Sequence, residues 1–277
     1  MSAAIQAVLI GFLVAMAGTI PRNLIFMANL RFHPEWPWAV PVVGIYLWYF
    51  WRYLRGDGPP ASTSRFRHDA LRANSVPARL WAWALLAGAL GIVALVVALH
   101  LLNQLVVLPP QQAPELAALP AGTALGLLLA AAPVAGVVEE AAFRGYMQGP
   151  IERRYGLLVA ILITGTMFAI AHLDFTLVLW PYYLAVAAIY GTVTYFTQSI
   201  LPAIVLHTGG NLYSNLDLWI HDRAEWQVSS QHAALIWDAG AGQDFWRAVG
   251  VLVALLLATF WAYSRLSKAA RLALARE

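Results

Sequence analysis

The feature that most constrains this chain is a series of apolar runs, each close to the length needed to cross a bilayer, joined by short polar connections. A membrane helix needs about 20 mostly apolar residues. Eight segments meet or nearly meet that requirement: 3–20, 36–54, 80–105, 121–147, 157–172, 177–197, 201–219 and 244–264. Of the 277 residues, 61% are hydrophobic and 11% charged, and mean hydropathy is +0.66. A soluble domain is about half apolar and about a quarter charged. A soluble fold of this size has too much surface to hide the excess. The expected fold is therefore all-α, a polytopic membrane bundle of about eight transmembrane helices. The fourth segment contains Pro133, where a kink is expected. The first has no Arg or Lys before its apolar stretch, unlike a signal peptide, and is expected to be a retained membrane helix.

Basic residues set the expected orientation. With eight spans, both termini and the loops after spans two, four and six share one side. That side holds thirteen of the seventeen Lys and Arg: those from Arg52 to Arg79, Arg144, Arg153, Arg154, and those from Arg265 to Arg276. The other side holds Arg22, Arg31, Arg223 and Arg247. The positive-inside rule then puts both termini in the cytoplasm. Lys268 is the only lysine; together with frequent Ala, Arg and Trp it suggests a GC-rich bacterial source, and so the bacterial inner membrane. The organisation read from these features has three parts. Residues 1–120 hold membrane helices one to three, with a basic cytoplasmic loop at 52–79. Residues 121–220 hold a core rich in intramembrane polar groups. Residues 221–277 hold an extracytoplasmic loop, the last helix and a basic tail.

Composition excludes several classes. There is no Cys, hence no disulfide framework, thiolate metal site or Cys nucleophile. The pI near 9.3 comes from residues placed between apolar segments, not from one basic surface, so headgroup contact explains it and no nucleic-acid partner is expected.

Charges inside membrane helices cost at least about 2.5 kcal/mol each near the centre. Few occur here. Span four reads AGVVEEAAFRGY from Ala135 to Tyr146. Glu140 and Arg144 are four apart and can pair on one helical face, whereas Glu139 is rotated by about 100°. In span five, Phe168 and His172 are four apart, and Asp174 follows two residues on. In span seven, His207 and Asn211 are four apart, with Gly209 and Gly210 thinning the helix between them. His100 in span three is read as structural, with no polar partner at helical spacing. Glycine pairs at Gly122/Gly126 and Gly145/Gly149 fit close helix packing. Counted from the turn near Arg153, Glu139 and His172 come to similar depth.

A carboxylate and a histidine that share a cavity can activate a water for hydrolysis. No Ser–His–Asp arrangement is present to supply a protein nucleophile. Spacing alone does not choose between Glu139 and Glu140.

The order E-E-x-x-x-R (Glu139, Glu140, Arg144), F-x-x-x-H (Phe168, His172) and H-x-x-x-N (His207, Asn211) resembles the CPBP family. That family groups type II CAAX prenyl endopeptidases with bacteriocin-processing and Abi-like immunity proteins. The resemblance covers roughly residues 121–220. It implies an eight-helix membrane fold and a metal-independent glutamic intramembrane peptidase without a cofactor. It further implies Glu139, His172, His207 and Asn211 as catalytic residues and Glu140, Arg144 and Phe168 as their support. Glu139 with His172 would activate water, and His207 with Asn211 would hold the oxyanion. The expected partners are membrane lipids and a peptide or protein substrate, lipidated or not. No oligomeric state is assigned.

Two other readings stay open at this point. Glu139, His172 and His207 form a ligand set that catalytic zinc accepts, although no H-E-x-x-H is present. The same polar groups could also be a structural network in a non-catalytic scaffold, transporter or bacteriocin-immunity protein.

Overall fold

The computed structural model describes residues 3–108, 116–172, 176–221 and 235–274. Among these residues the structure is helical, with no strand. The helices are α1 (Ala3–Phe32), α2 (Ala39–Leu54), α3 (Ser64–Leu71), α4 (Ala78–Leu105), α5 (Ala121–Glu139), α6 (Gly149–Ala171), α7 (Trp180–Thr197), α8 (Leu201–His221), α9 (Ile236–Ala239) and α10 (Gln243–Leu274). Between α5 and α6 the helix continues without a break as a π-helical segment, Glu140–Gln148. All eight apolar segments fall on these helices.

Five helical stretches are long and apolar enough to cross a membrane: Ala3–Phe32, Ala78–Leu105, Ala121–Ala171, Leu177–Thr197 and Gln243–Ala273. The difference from eight has physical causes. At 16 residues, α2 reaches only about 24 Å along its axis. The polar residues of α8 dilute its apolar character. Spans four and five form one 51-residue helical run. The outward faces carry exposed apolar side chains, among them Leu13, Leu257 and Phe260, which a membrane would cover.

The 51-residue run doubles back at Gly156. This residue has φ 82° and ψ 166°, a conformation open to glycine. The result is that Phe168 stacks edge-on against Phe143, with ring centroids 5.1 Å apart. Glu139 and His172 are nearly equidistant from Gly156 along the chain, so the reversal brings them to the same level. Pro133 sits within α5 and the helix continues through it.

Small residues let the helices approach. Along α1 the buried stripe Ala7, Gly11, Val14 and Gly18 repeats at helical spacing. A Cβ at Gly11 would meet Met147, and one at Gly18 would overlap Val138. On α5, a Cβ at Gly136 would overlap the Thr208 hydroxyl and lie 3.1 Å from the Thr208 backbone nitrogen. Helices α5 and α8 therefore touch at backbone distance directly beside the motif residues of both. The Gly145/Gly149 pair serves α3 and the residue after it: a Cβ at Gly145 would lie 3.0 Å from the Leu71 carbonyl oxygen, and one at Gly149 would meet Arg72. Of the other pair, Gly126 packs on Pro37, while Gly122 has open space around it.

The basic loop is more ordered than a solvated connection. Arg67 is buried, and its Nη1 donates to the carbonyls of Tyr53 and Asp57 at 2.6 and 2.9 Å. Arg72 pairs with Glu152 at 3.2 Å. Asn74 donates to the Gln198 carbonyl, and Ser199 donates to the Asn74 carbonyl, both at 2.7 Å. These bonds pin the loop to the α7–α8 turn and so fix where α8 starts.

Candidate active site

The adjacent glutamates at the end of α5 face different ways, as their rotation on a helix requires. Glu140 is fully buried, and so is Arg144. Their ion pair spans 3.2 Å, from Arg144 Nη1 to Glu140 Oε1. The guanidinium also lies over Phe168 and Tyr190, 5.1 and 5.3 Å from the ring centroids. Arg144 is thus held by one charge and two aromatic faces. The Glu139 side chain keeps 20% of its surface and lines a cavity of about 740 Å³.

The π-helical turn begins at Glu140. Such turns are rare and recur at functional sites, where the wider ring re-aims side chains. Nothing in the residue pattern distinguishes this stretch from an ordinary helix.

His207 on α8 contacts both glutamates. Its Nδ1 lies 2.8 Å from Glu140 Oε1, and its Nε2 lies 3.6 Å from Glu139 Oε2. A carboxylate only accepts hydrogen bonds, so Nδ1 carries the proton and donates to Glu140. Nε2 is then the nitrogen turned to the cavity. Tyr190 stacks on the imidazole, with centroids 5.0 Å apart and planes at 15°.

His172 is oriented by its own helix. Its Nδ1 lies 2.8 Å from the Phe168 carbonyl oxygen, four residues back. That oxygen accepts, so Nδ1 holds the proton and the Nε2 lone pair is left available. Phe168 and Tyr183 flank the ring, with centroids at 4.5 and 5.4 Å. Phe168 thereby touches both His172 and Arg144, which explains its place in the motif. Asp174 lies outside the described residues.

Glu139, His172, His207 and Asn211 all line the one cavity, with Phe168 in its wall and Glu140 and Arg144 sealed behind it. Gly209 and Gly210 open onto it as well, and among the described residues no neighbouring atom comes within 4 Å of a Cβ built at Gly209. Gly209 therefore leaves room beside the polar groups, whereas a Cβ at Gly210 would lie 3.5 Å from the Tyr190 hydroxyl of α7. Ile92, Val93 and Val96 of α4 make the far wall apolar. Among the described residues, no group of three or more His, Asp or Glu is arranged to hold a metal ion.

Two residues of the site were not singled out by spacing. Arg22 was counted with the extracytoplasmic charges; it lies within α1 and lines the cavity. The signal was available, because the apolar pattern resumes after Pro21 with Leu24, Ile25 and Phe26. Tyr190 gives no such signal, being one aromatic in an apolar helix. His100 needs a correction as well: Gln104, four residues on, has its Nε2 3.0 Å from His100 Nε2.

Residues 120–213 match the family model of the type II CAAX prenyl endopeptidase Rce1-like proteins. The matched segment contains all three motifs, and the match is consistent with the resemblance they carry to the CPBP family. It supports a CAAX-type intramembrane protease in general terms, seated in lipid and acting on peptides. No curated protein and no solved structure matches the chain.

Proposed function

We propose that this chain is a metal-independent endopeptidase of the membrane that hydrolyses a peptide bond with a water activated by Glu139 and His172. The observation that carries the proposal is the shared cavity: four polar groups of the three motifs face one space, while the Glu140–Arg144 pair stands behind them without access. Glu139 is the carboxylate open to water, so it takes the proton as the water oxygen attacks the scissile carbonyl carbon. His172 accepts from the same water through Nε2, with its tautomer held by the Phe168 carbonyl. Asn211 and a doubly protonated His207 donate to the oxyanion of the tetrahedral intermediate. Collapse of that intermediate breaks the C–N bond, and the proton held by Glu139 passes to the leaving amine. Glu140 fixes His207 through Nδ1 so that Nε2 faces the reaction.

The apolar wall formed by α4 and the open face of α8 at Gly209 support a substrate that enters with apolar side chains or a lipid. The basic stretch at 52–79, Arg153, Arg154 and the tail support both termini in the cytoplasm of a bacterial inner membrane. Cleavage of a quenched peptide library, with and without a C-terminal lipid, tests the proposal. Detergent-purified protein in EDTA should cleave. Cleavage that appears only when zinc is restored would overturn the metal-independent mechanism.

A further inference from the structure

The cavity contains a charge that the hydrolytic scheme does not use. Among the described residues lining it, Arg22 is the only lysine or arginine. Its position follows from the packing of α1. Gly11 abuts Met147 and Gly18 abuts Val138, so α1 runs antiparallel to the helix that bears the glutamates. Arg22 follows Gly18 by one turn, and helical side chains lean back toward the N-terminus. The guanidinium is therefore carried toward the level of Glu139, with which it lines the same cavity. Arg22 Nε donates to Asn23 Oδ1 at 3.0 Å. Among the described residues, no carboxylate lies within ion-pair distance of Arg22, Glu139 included. A fork of donors is thus left facing a cavity whose opposite wall is apolar. An intramembrane charge left so is expensive unless a ligand meets it.

We propose that Arg22 binds a carboxylate of the peptide substrate and so sets which bond lies over Glu139. The proposal rests on the peptidase function above and adds to it a specificity-determining residue. The planar guanidinium suits a carboxylate in bidentate fashion. Two sources carry that group, a free C-terminus and an Asp or Glu side chain.

The test separates binding from cleavage. Three N-terminally labelled apolar peptides of one sequence are used: the free acid, the C-terminal amide, and the amide with one internal Asp. Their binding is measured by fluorescence anisotropy to Glu139→Gln protein, with and without Arg22→Gln. The carboxylate forms should bind about tenfold more tightly than the plain amide, as one charge-assisted pair provides, and Arg22→Gln should abolish the difference. Whichever carboxylate peptide shows the preference identifies the source. No carboxylate preference in Glu139→Gln protein overturns the proposal, as does a preference that survives Arg22→Gln. Should Arg22→Gln fail to fold, Arg22→Lys replaces the fork with a point charge and should weaken the preference. In cleavage by otherwise native protein, Arg22→Gln should raise KM for the carboxylate peptide and leave kcat. An equal fall in kcat for acid and amide would mean that Arg22 serves Glu139, not the substrate. Carboxylate-selective binding without any cleavage by native protein would refute the peptidase function alone.

Discussion

His207 Nδ1 lies 2.8 Å from Glu140 Oε1, and both side chains are buried. With Arg144 on the same oxygen, the three groups form a buried charge cluster linking α8 to the π-helical segment. Removing one partner of a buried pair leaves the others uncompensated, which typically costs 3–5 kcal/mol. Glu140→Ala and Arg144→Ala are therefore expected to lower the melting temperature and the yield of folded protein sharply. Glu139→Ala, at the neighbouring but cavity-facing position, is expected to change either very little. Thermal unfolding of the three variants in detergent checks the ordering, and equal destabilisation by Glu139→Ala would contradict it.

His172 makes its Nδ1 hydrogen bond within its own helix. Among the described residues, losing it removes ring packing on Phe168 of the same helix and on Tyr183 of α7. His172→Ala is expected to fold and to lose cleavage by about 10²–10⁴-fold, the usual contribution of a general acid–base group. Circular dichroism alongside the peptide assay would show whether activity falls without loss of helix.

The close approach at Gly136 makes a third prediction. A side chain there must displace the Thr208 hydroxyl and the backbone beside His207. Gly136→Val should destabilise by about 1–3 kcal/mol, as overpacking does, and should disrupt the His207–Glu140 bond. Gly209→Ala, where the space is open, should leave the melting temperature unchanged or slightly raised, since Ala is the better helix former. Melting curves of the two variants decide it; a fall of similar size in both would show that packing at Gly136 is not special.

The placement of the helices was legible because every apolar run is a helix, and hydropathy reports burial in lipid directly. The count of spans was less so. Length separates α2 from a full span, and the reversal at Gly156 depends on one backbone conformation in a run that is helical on both sides. The Glu140–Arg144 pair was legible from spacing four, because the pair is local. The bridge from His207 to both glutamates was not, since it depends on how α5 and α8 cross at Gly136 and Thr208. Arg22 was missed because Pro21 reads as the end of a helix. Here α1 continues past it to Phe32 and carries the guanidinium into the cavity.

The most direct measurement is cleavage of the quenched peptide library by native protein and by Glu139→Gln, both in EDTA and matched for melting temperature. The exchange of a carboxylate for an amide of the same shape removes the proton acceptor and little else. Cleavage by native protein with none by Glu139→Gln at equal stability is the predicted result. Equal cleavage by the two proteins, or none by the native one, would contradict Glu139 as the base of a peptidase.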